Sequence, residues 1–160
     1  MLRIRLICVG KLKERFYLDA VQEYRKRLDA FCRLEAVELP EERLGQNPSR
    51  AAVDAALRRE AAEIEKAVLK DSKLVCLCVE GEEFSSPEVA ELLSRTEMSG
   101  SPRLTLVVGG SYGLDAELKR KADLCLSMSK MTFPHHLARV MLLEQLYRGF
   151  QIREGTKYHK

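Results

Sequence analysis

Apolar residues recur along the chain with two alternating periods, short β-type runs followed by helical stripes, and each change of period marks an element boundary. Residues 2–9 (LRIRLICV) form an apolar, β-branched run that Gly10 ends. Residues 14–31 follow, with Phe16, Ala20, Tyr24 and Leu28 on one helical face, so the first strand feeds an amphipathic helix. Residues 33–39 (RLEAVEL) alternate as a partly exposed strand, and PEERLGQNPS after them has the Pro, Gly, Asn and Ser of a mobile loop. From Ser49 to Leu69 strong helix formers dominate, with Val53, Ala56, Leu57, Ile64 and Val68 as the apolar stripe. Residues 73–79 (KLVCLCV) and 103–108 (RLTLVV) are nearly uninterrupted apolar runs, the pattern of central parallel strands covered on both faces. Between them Ser86 and Pro87 start a short helix that runs to Ser94.

The last third continues the rhythm. Asp115 caps a helix to about Asp123, LCLSM at 124–128 is a short strand, and Pro134 opens a final helix over 135–150 that Gly149 weakens near its end. Strands alternating with helices predict an α/β fold, a mostly parallel sheet with helices on both faces. No repeat or linker interrupts the pattern, so residues 1–160 are expected to form a single domain.

Composition narrows the setting. The opening apolar run is too short for a signal-peptide core or a membrane span of about 20 residues, so the protein is expected in the cytoplasm, with no membrane partner. Five scattered cysteines suit buried reduced thiols rather than a disulfide framework, and no Cys or His spacing fits a zinc site, so no metal is expected. A net charge of +3 permits RNA as a partner without demanding it.

Three segments carry candidate chemistry. GGSYG at 109–113 joins a buried strand to a helix, where glycines let a ligand approach the backbone and where ligands gather in parallel sheets; an ordinary turn would need the same glycines. In SMSKMTFPHHLAR, 127–139, Thr132 and Pro134 read as capping residues. His135 and His136 sit beside a positive helix end that favours a neutral ring, fit to accept a proton. The end EQLYRGFQIREGTKYHK has Leu142, Leu143, Leu146, Tyr147 and Phe150 as a core or dimer stripe, and leaves Arg148, Arg153, Lys157, Tyr158, His159 and Lys160 less easily explained by packing. Lys11, Lys13 and Arg15 form one of several basic clusters that read as solvated helix faces or strand ends, and that would supply phosphate attraction if RNA binds.

Taken together, LKERFYLDAVQEYRKRL, LVVGGSYGL, LSMSKMTFPHHLARVMLLEQLYRGFQI and the terminal YHK resemble the bacterial large-subunit (23S) ribosomal RNA pseudouridine N3-methyltransferases, end to end. The resemblance implies a SPOUT-type fold with a C-terminal trefoil knot, a homodimer, S-adenosyl-L-methionine as cofactor, and ribosomal RNA in the assembled ribosome as substrate. It further implies cofactor contacts at Leu77, Gly109 and Gly110 and along Ser129, Lys130, Met131, Thr132, Phe133 and Pro134. Proton removal from ring nitrogen 3 would fall to His135 or His159, with Arg139, Arg148 and Tyr158 orienting or stabilising the target. Two other readings stay open at this point: a knotted methyltransferase acting on another RNA, and a ribosome-binding assembly factor without catalysis. A dinucleotide-dependent oxidoreductase is disfavoured, because the first strand lacks the glycine fingerprint.

Overall fold

The computed structural model describes residues 1–160. Five strands, β1 (Leu2–Val9), β2 (Cys32–Leu39), β3 (Lys73–Glu83), β4 (Arg103–Val108) and β5 (Leu124–Ser127), alternate with five helices. The helices are α1 (Arg15–Leu28), α2 (Arg50–Ala67), α3 (Ser86–Glu97), α4 (Ala116–Lys121) and α5 (His135–Arg153). All the strand pairings are parallel, in the order β2-β1-β4-β3-β5.

Strand alternation sorts the core into two layers. Ile4, Leu6, Cys8, Leu104 and Leu106 face one side, where Leu28 of α1, Leu93 of α3 and Leu142, Leu143, Leu146 and Phe150 of α5 cover them. Ile7, Val9, Cys76 and Val107 face the other, under Ala61 and Ile64 of α2 and Leu118 of α4. Helices therefore lie on both faces, as the uninterrupted apolar strands require. Because β4 sits between β1 and β3, the chain steps inward from β3 to β4 and then outward past β3 to β5. That path crowds the segments after β4 and after β5 at the carboxyl ends of the strands, where ligands gather in parallel sheets.

Several local expectations are corrected by packing. β3 runs to Glu83, past the expected end at 79, and its register on β5 shifts between Leu77 and Glu82, so that Leu126 pairs with both. The extra residues bulge outward, and Gly81 allows it: a Cβ there would lie 2.6 Å from the Cys125 carbonyl oxygen. The cap of α3 is Ser85, one residue earlier than expected, in a reciprocal box with Glu88. Gly149 does not weaken α5, which continues to Arg153; a Cβ at Gly149 would lie 2.9 Å from Leu93 Cδ1, so the glycine lets α5 pack tightly on α3. Phe16 is exposed rather than part of the α1 stripe, which buries itself only from Val21 onward. Cys8, Cys32 and Cys76 are buried, whereas Cys78 and Cys125 are half-buried; all five are free thiols. Burial pushes the Cys76 and Cys78 thiols up to about 12, so both stay protonated.

Candidate active site

Three stretches of chain meet beyond β4 and β5. The bulge of β3 contributes Leu77, Cys78, Val79 and Glu80; the turn between β4 and α4 contributes Gly109 to Leu114; the segment after β5 contributes Met128, Ser129 and Met131 to His135. Between them lies a cleft of about 720 Å³, inside the range of roughly 300–1,000 Å³ typical of small-molecule sites.

Backbone geometry shapes its floor. Gly113 donates its N–H to the Gly110 carbonyl at 3.1 Å and adopts φ +82°, a left-handed conformation that favours glycine. At Gly109 a Cβ would lie 2.5 Å from the Gly113 carbonyl oxygen, a backbone atom that cannot step aside. Beyond β5, Ser129 Oγ accepts from the Met131 N–H at 3.1 Å, and Ser127 Oγ donates to the Ser129 carbonyl at 2.9 Å, folding this segment back over the cleft. Thr132 does not cap α5; Pro134 occupies the cap position with no side-chain hydrogen bond, and Thr132 lines the cleft instead.

A carboxylate from the β2–α2 loop completes the floor. Glu41 Oε1 accepts the Ser111 N–H at 2.7 Å, and a Cβ on Gly110 would meet that same oxygen at 2.5 Å. The loop expected to be mobile is thus tied to the glycine turn, and its next residue, Glu42, donates its N–H to Glu60 on α2 at 2.8 Å. Above Gly10 three side chains converge: the position of a Cβ there is 3.5 Å from Glu41 Oε2, 3.6 Å from His135 Nε2 and 4.0 Å from His136 Nε2. Desolvation, and then the neighbouring His136, lower the pKa of His135 against the opposing pull of Glu41. His135 is therefore neutral near pH 7 and able to accept a proton.

A family model described as "Predicted SPOUT methyltransferase" matches residues 2–159. The chain belongs to the SPOUT methyltransferase family. Two relatives from serotypes of Streptococcus pyogenes, each named ribosomal RNA large subunit methyltransferase H, are 41% and 40% identical to it. Each alignment spans 159 residues, 99% of this chain and 100% of the relative. The solved structure of a probable methylase family protein from Haemophilus influenzae matches with a TM-score of 0.54 at 17% identity, over 98% of this chain and 70% of that one, a likeness of fold.

Within this SPOUT fold, the residues singled out from sequence separate into three places. Leu77, Gly109, Gly110, Ser129, Met131, Thr132, Phe133 and Pro134 all line the cleft, with His135 at its lip; the Lys130 side chain is exposed outside it. Arg139, one turn into α5, is 4% exposed and points inward as a strut. It donates to Glu38 Oε2 at 2.6 Å and to the Gly10 carbonyl at 3.0 Å, which binds α5 to the ends of β1 and β2. Burial opposes the charged form of Glu38, yet the Leu12 N–H and Arg139 overcome it and hold the carboxyl below its usual range. Such a setting makes Arg139 a positioning residue, since its forked end is spent on protein partners.

Arg148, Tyr158 and His159 gather elsewhere. Tyr158 donates its hydroxyl to Glu144 at 3.1 Å, its ring lies 4.7 Å under the Arg148 guanidinium, and Arg148 stands 3.5 Å from His159 Nδ1. Glu144 and Arg148 are nine and thirteen residues beyond His135, about 13 and 20 Å along the helix at about 1.5 Å per residue. One protomer therefore does not bring His135 and His159 together. Sequence reasoning missed Glu41 and the bulge residues Cys78 to Glu80; the acidic residue in a Pro- and Gly-containing loop was the only signal for the former.

Proposed function

We propose that this SPOUT methyltransferase uses S-adenosylmethionine to methylate large-subunit ribosomal RNA, at ring nitrogen 3 of a pseudouridine. Residues 1–160 work as one domain, paired as a homodimer, on the assembled ribosome in the cytoplasm. The observation that carries this reading is the cleft itself, which gathers every expected cofactor residue except Lys130 and sets His135 at its lip. The large-subunit assignment is supported by the printed name of relatives that align over their whole length, and the pseudouridine assignment by the motifs ending in Tyr158-His159-Lys160.

The residues present fit the cofactor. Gly109 and Gly110 leave backbone groups bare where a Cβ would collide, Ser129 and Thr132 offer hydroxyls, and Leu77, Val79, Met128 and Phe133 form apolar walls for a flat adenine. No cluster of cations waits for a pyrophosphate: Lys119, the one lysine lining the cleft, is paired with Glu80. This disfavours a dinucleotide. When bound, S-adenosylmethionine supplies an electrophilic methyl group on a sulfonium. The segment Ser129–Pro134 folds over the cleft and excludes water, and its return beside the glycine turn supports a trefoil knot.

The protein's own share is positioning and proton transfer. Ring nitrogen 3 of a neutral pseudouridine carries a proton, and a ring nitrogen of neutral His135 accepts it, with Glu41 close enough to stabilise the imidazolium that results. Arg148, Tyr158 and His159 orient the target from the tail. Because the tail of a protomer lies well away from its own lip, the homodimer supplies it from the second copy. No helix is long and apolar enough to cross a membrane.

Calorimetry tests the first half of the reading. Wild-type protein is expected to bind S-adenosylmethionine with one site per protomer. A folded dimer that binds none would favour a non-catalytic assembly factor.

A further inference from the structure

Leu77 and Glu82 of β3 share Leu126 as their partner on β5, so residues 78–81 leave the ladder between them. Bulges beside a site re-aim side chains, and this one brings Glu80 into the lining of the cleft together with Lys119 of α4. Lys119 Nζ donates to Glu80 Oε1, an ion pair between groups 39 positions apart in sequence. Each partner fixes the other's charge: the hydrogen bond from Lys119 holds the Glu80 carboxyl below its usual range, and the bond to Glu80 raises Lys119. Two thiols lie beside the lysine. Cys78 lines the cleft with it, and Cys125 Sγ donates to the Lys119 carbonyl at 3.5 Å, so weakly polar sulfur flanks the pair.

S-adenosylmethionine has four parts to be matched: a flat base, a ribose diol, a sulfonium, and an amino-acid end with one ammonium and one carboxylate. Apolar walls and bare backbone suit the base, and the hydroxyls of Ser129 and Thr132 suit the ribose. The amino-acid end alone needs both signs of charge side by side. Among the side chains that line the cleft, Glu80 and Lys119 offer both, whereas His135 is neutral near pH 7 and Glu41 is engaged by the Ser111 N–H. A zwitterion laid against such a pair gains charge-assisted hydrogen bonds, roughly twice as strong as neutral ones. A purely structural tie between α4 and the bulge explains less. Gly81 already seats the bulge against the Cys125 backbone, and an ion pair open to water contributes little to stability.

We propose that the Glu80 and Lys119 pair is the subsite for the amino-acid end of S-adenosylmethionine, with Glu80 accepting from the ammonium and Lys119 donating to the carboxylate. This assignment rests on the S-adenosylmethionine reading above. It makes the pair a specificity device: adenosine-like nucleosides fit the same walls, and the charges favour the ligand that carries an amino acid. Neither residue takes part in proton transfer.

Calorimetry with three ligands dissects the subsite. S-adenosylmethionine has every part, S-adenosylhomocysteine keeps the amino-acid end without the sulfonium charge, and 5′-methylthioadenosine keeps base, ribose and sulfur without the amino-acid end. Glu80→Gln and Lys119→Met are each expected to weaken the first two ligands about 10-fold and to leave 5′-methylthioadenosine within about twofold of wild type. Glu80→Lys combined with Lys119→Glu keeps an ion pair between α4 and the bulge but exchanges the charges, and should bind the first two ligands about 10-fold more weakly than wild type as well. Wild-type affinity in that exchanged variant would return the pair to a structural role. An equal loss for 5′-methylthioadenosine would assign it to the ribose or to the fold, and a loss for S-adenosylmethionine alone to the sulfonium; each overturns the proposal, as does unchanged binding in both single variants. The two readings fail differently: a wild-type protein that binds none of the three ligands sinks both, while wild type and single variants that bind S-adenosylmethionine equally sink only this subsite.

Discussion

At the amino end of α5, His135 stands over a cleft whose walls come from three separate stretches of backbone; at the carboxyl end, Tyr158 and His159 lie on the surface of their own helix. The first region is built from turns that glycine alone permits and from hydrogen bonds between main-chain groups, so its shape is set when the sheet forms. The second is held by side chains, Glu144, Arg148 and Tyr158, at the surface of a terminal segment. Such contacts contribute little each and exchange readily for others. The cleft proposed for the cofactor is therefore preformed in the single chain, and the tail proposed to face the target is held loosely enough to be rearranged.

The sharpest break of this comparison comes from one substitution at each end. Gly109→Ala pushes a methyl into the Gly113 carbonyl and should lower S-adenosylmethionine affinity by about 100-fold or more, a loss of roughly 3 kcal/mol or more. Removal of residues 157–160 should leave that affinity within about twofold while methyl transfer falls by about 100-fold, because the tail is proposed to touch the target and lies away from the cleft. Equal losses of cofactor binding in both variants would erase the distinction.

Arg139→Met probes the strut beneath the lip. It leaves Glu38 and the Gly10 carbonyl without their partner and should destabilise the fold by roughly 2–3 kcal/mol in urea titrations near pH 7. Glu38 has a lowered folded pKa, so its contribution is present above the ordinary value of 4.5 and is lost as pH falls through the lowered one. The gap between wild type and variant should accordingly narrow in acid, and a gap constant down to pH 3 would exclude the ion pair as its source.

Glu41→Gln has a smaller expected effect. Loss of the charged acceptor for the Ser111 N–H loosens the glycine turn and should weaken cofactor binding by about 5-fold, roughly 1 kcal/mol for one partly exposed hydrogen bond. The smallest effect is in the titration of His135. Its NMR midpoint is expected below the ordinary 6.5, higher in His136→Asn, where a like charge is removed, and lower in Glu41→Gln. Because the folded pKa is lowered, His135 favours the unfolded state only as pH drops below 6.5 and has no effect on stability above it.

Much of the fold was legible in the apolar pattern. Uninterrupted runs at β3 and β4 require cover on both faces, and a sheet with helices on each side follows. Residues of the cleft were legible as well, since glycines after a buried strand and small residues before a proline mark backbone that a ligand can reach. What escaped depended on distant partners. The bulge of β3 exists because Gly81 lies against the backbone of Cys125, forty-four residues on, and no local period encodes that contact. Gly149 read as a helix breaker because its reason, Leu93, is on another helix. Glu41 read as part of a mobile loop because its partner is an amide N–H in the β4–α4 turn. Phe16 fitted the helical stripe by spacing, but in the single chain it stays exposed.

The central claim joins the cleft to RNA methylation, and one assay addresses it directly. Ribosomes from a strain lacking the modification would be incubated with the protein and S-adenosylmethionine carrying an isotopically labelled methyl group, and the large-subunit RNA digested and its nucleosides identified by mass. The account predicts label in a single nucleoside, a pseudouridine methylated at ring nitrogen 3, and none with Gly109→Ala. Label in another nucleoside, or in none while the cofactor still binds, would contradict it.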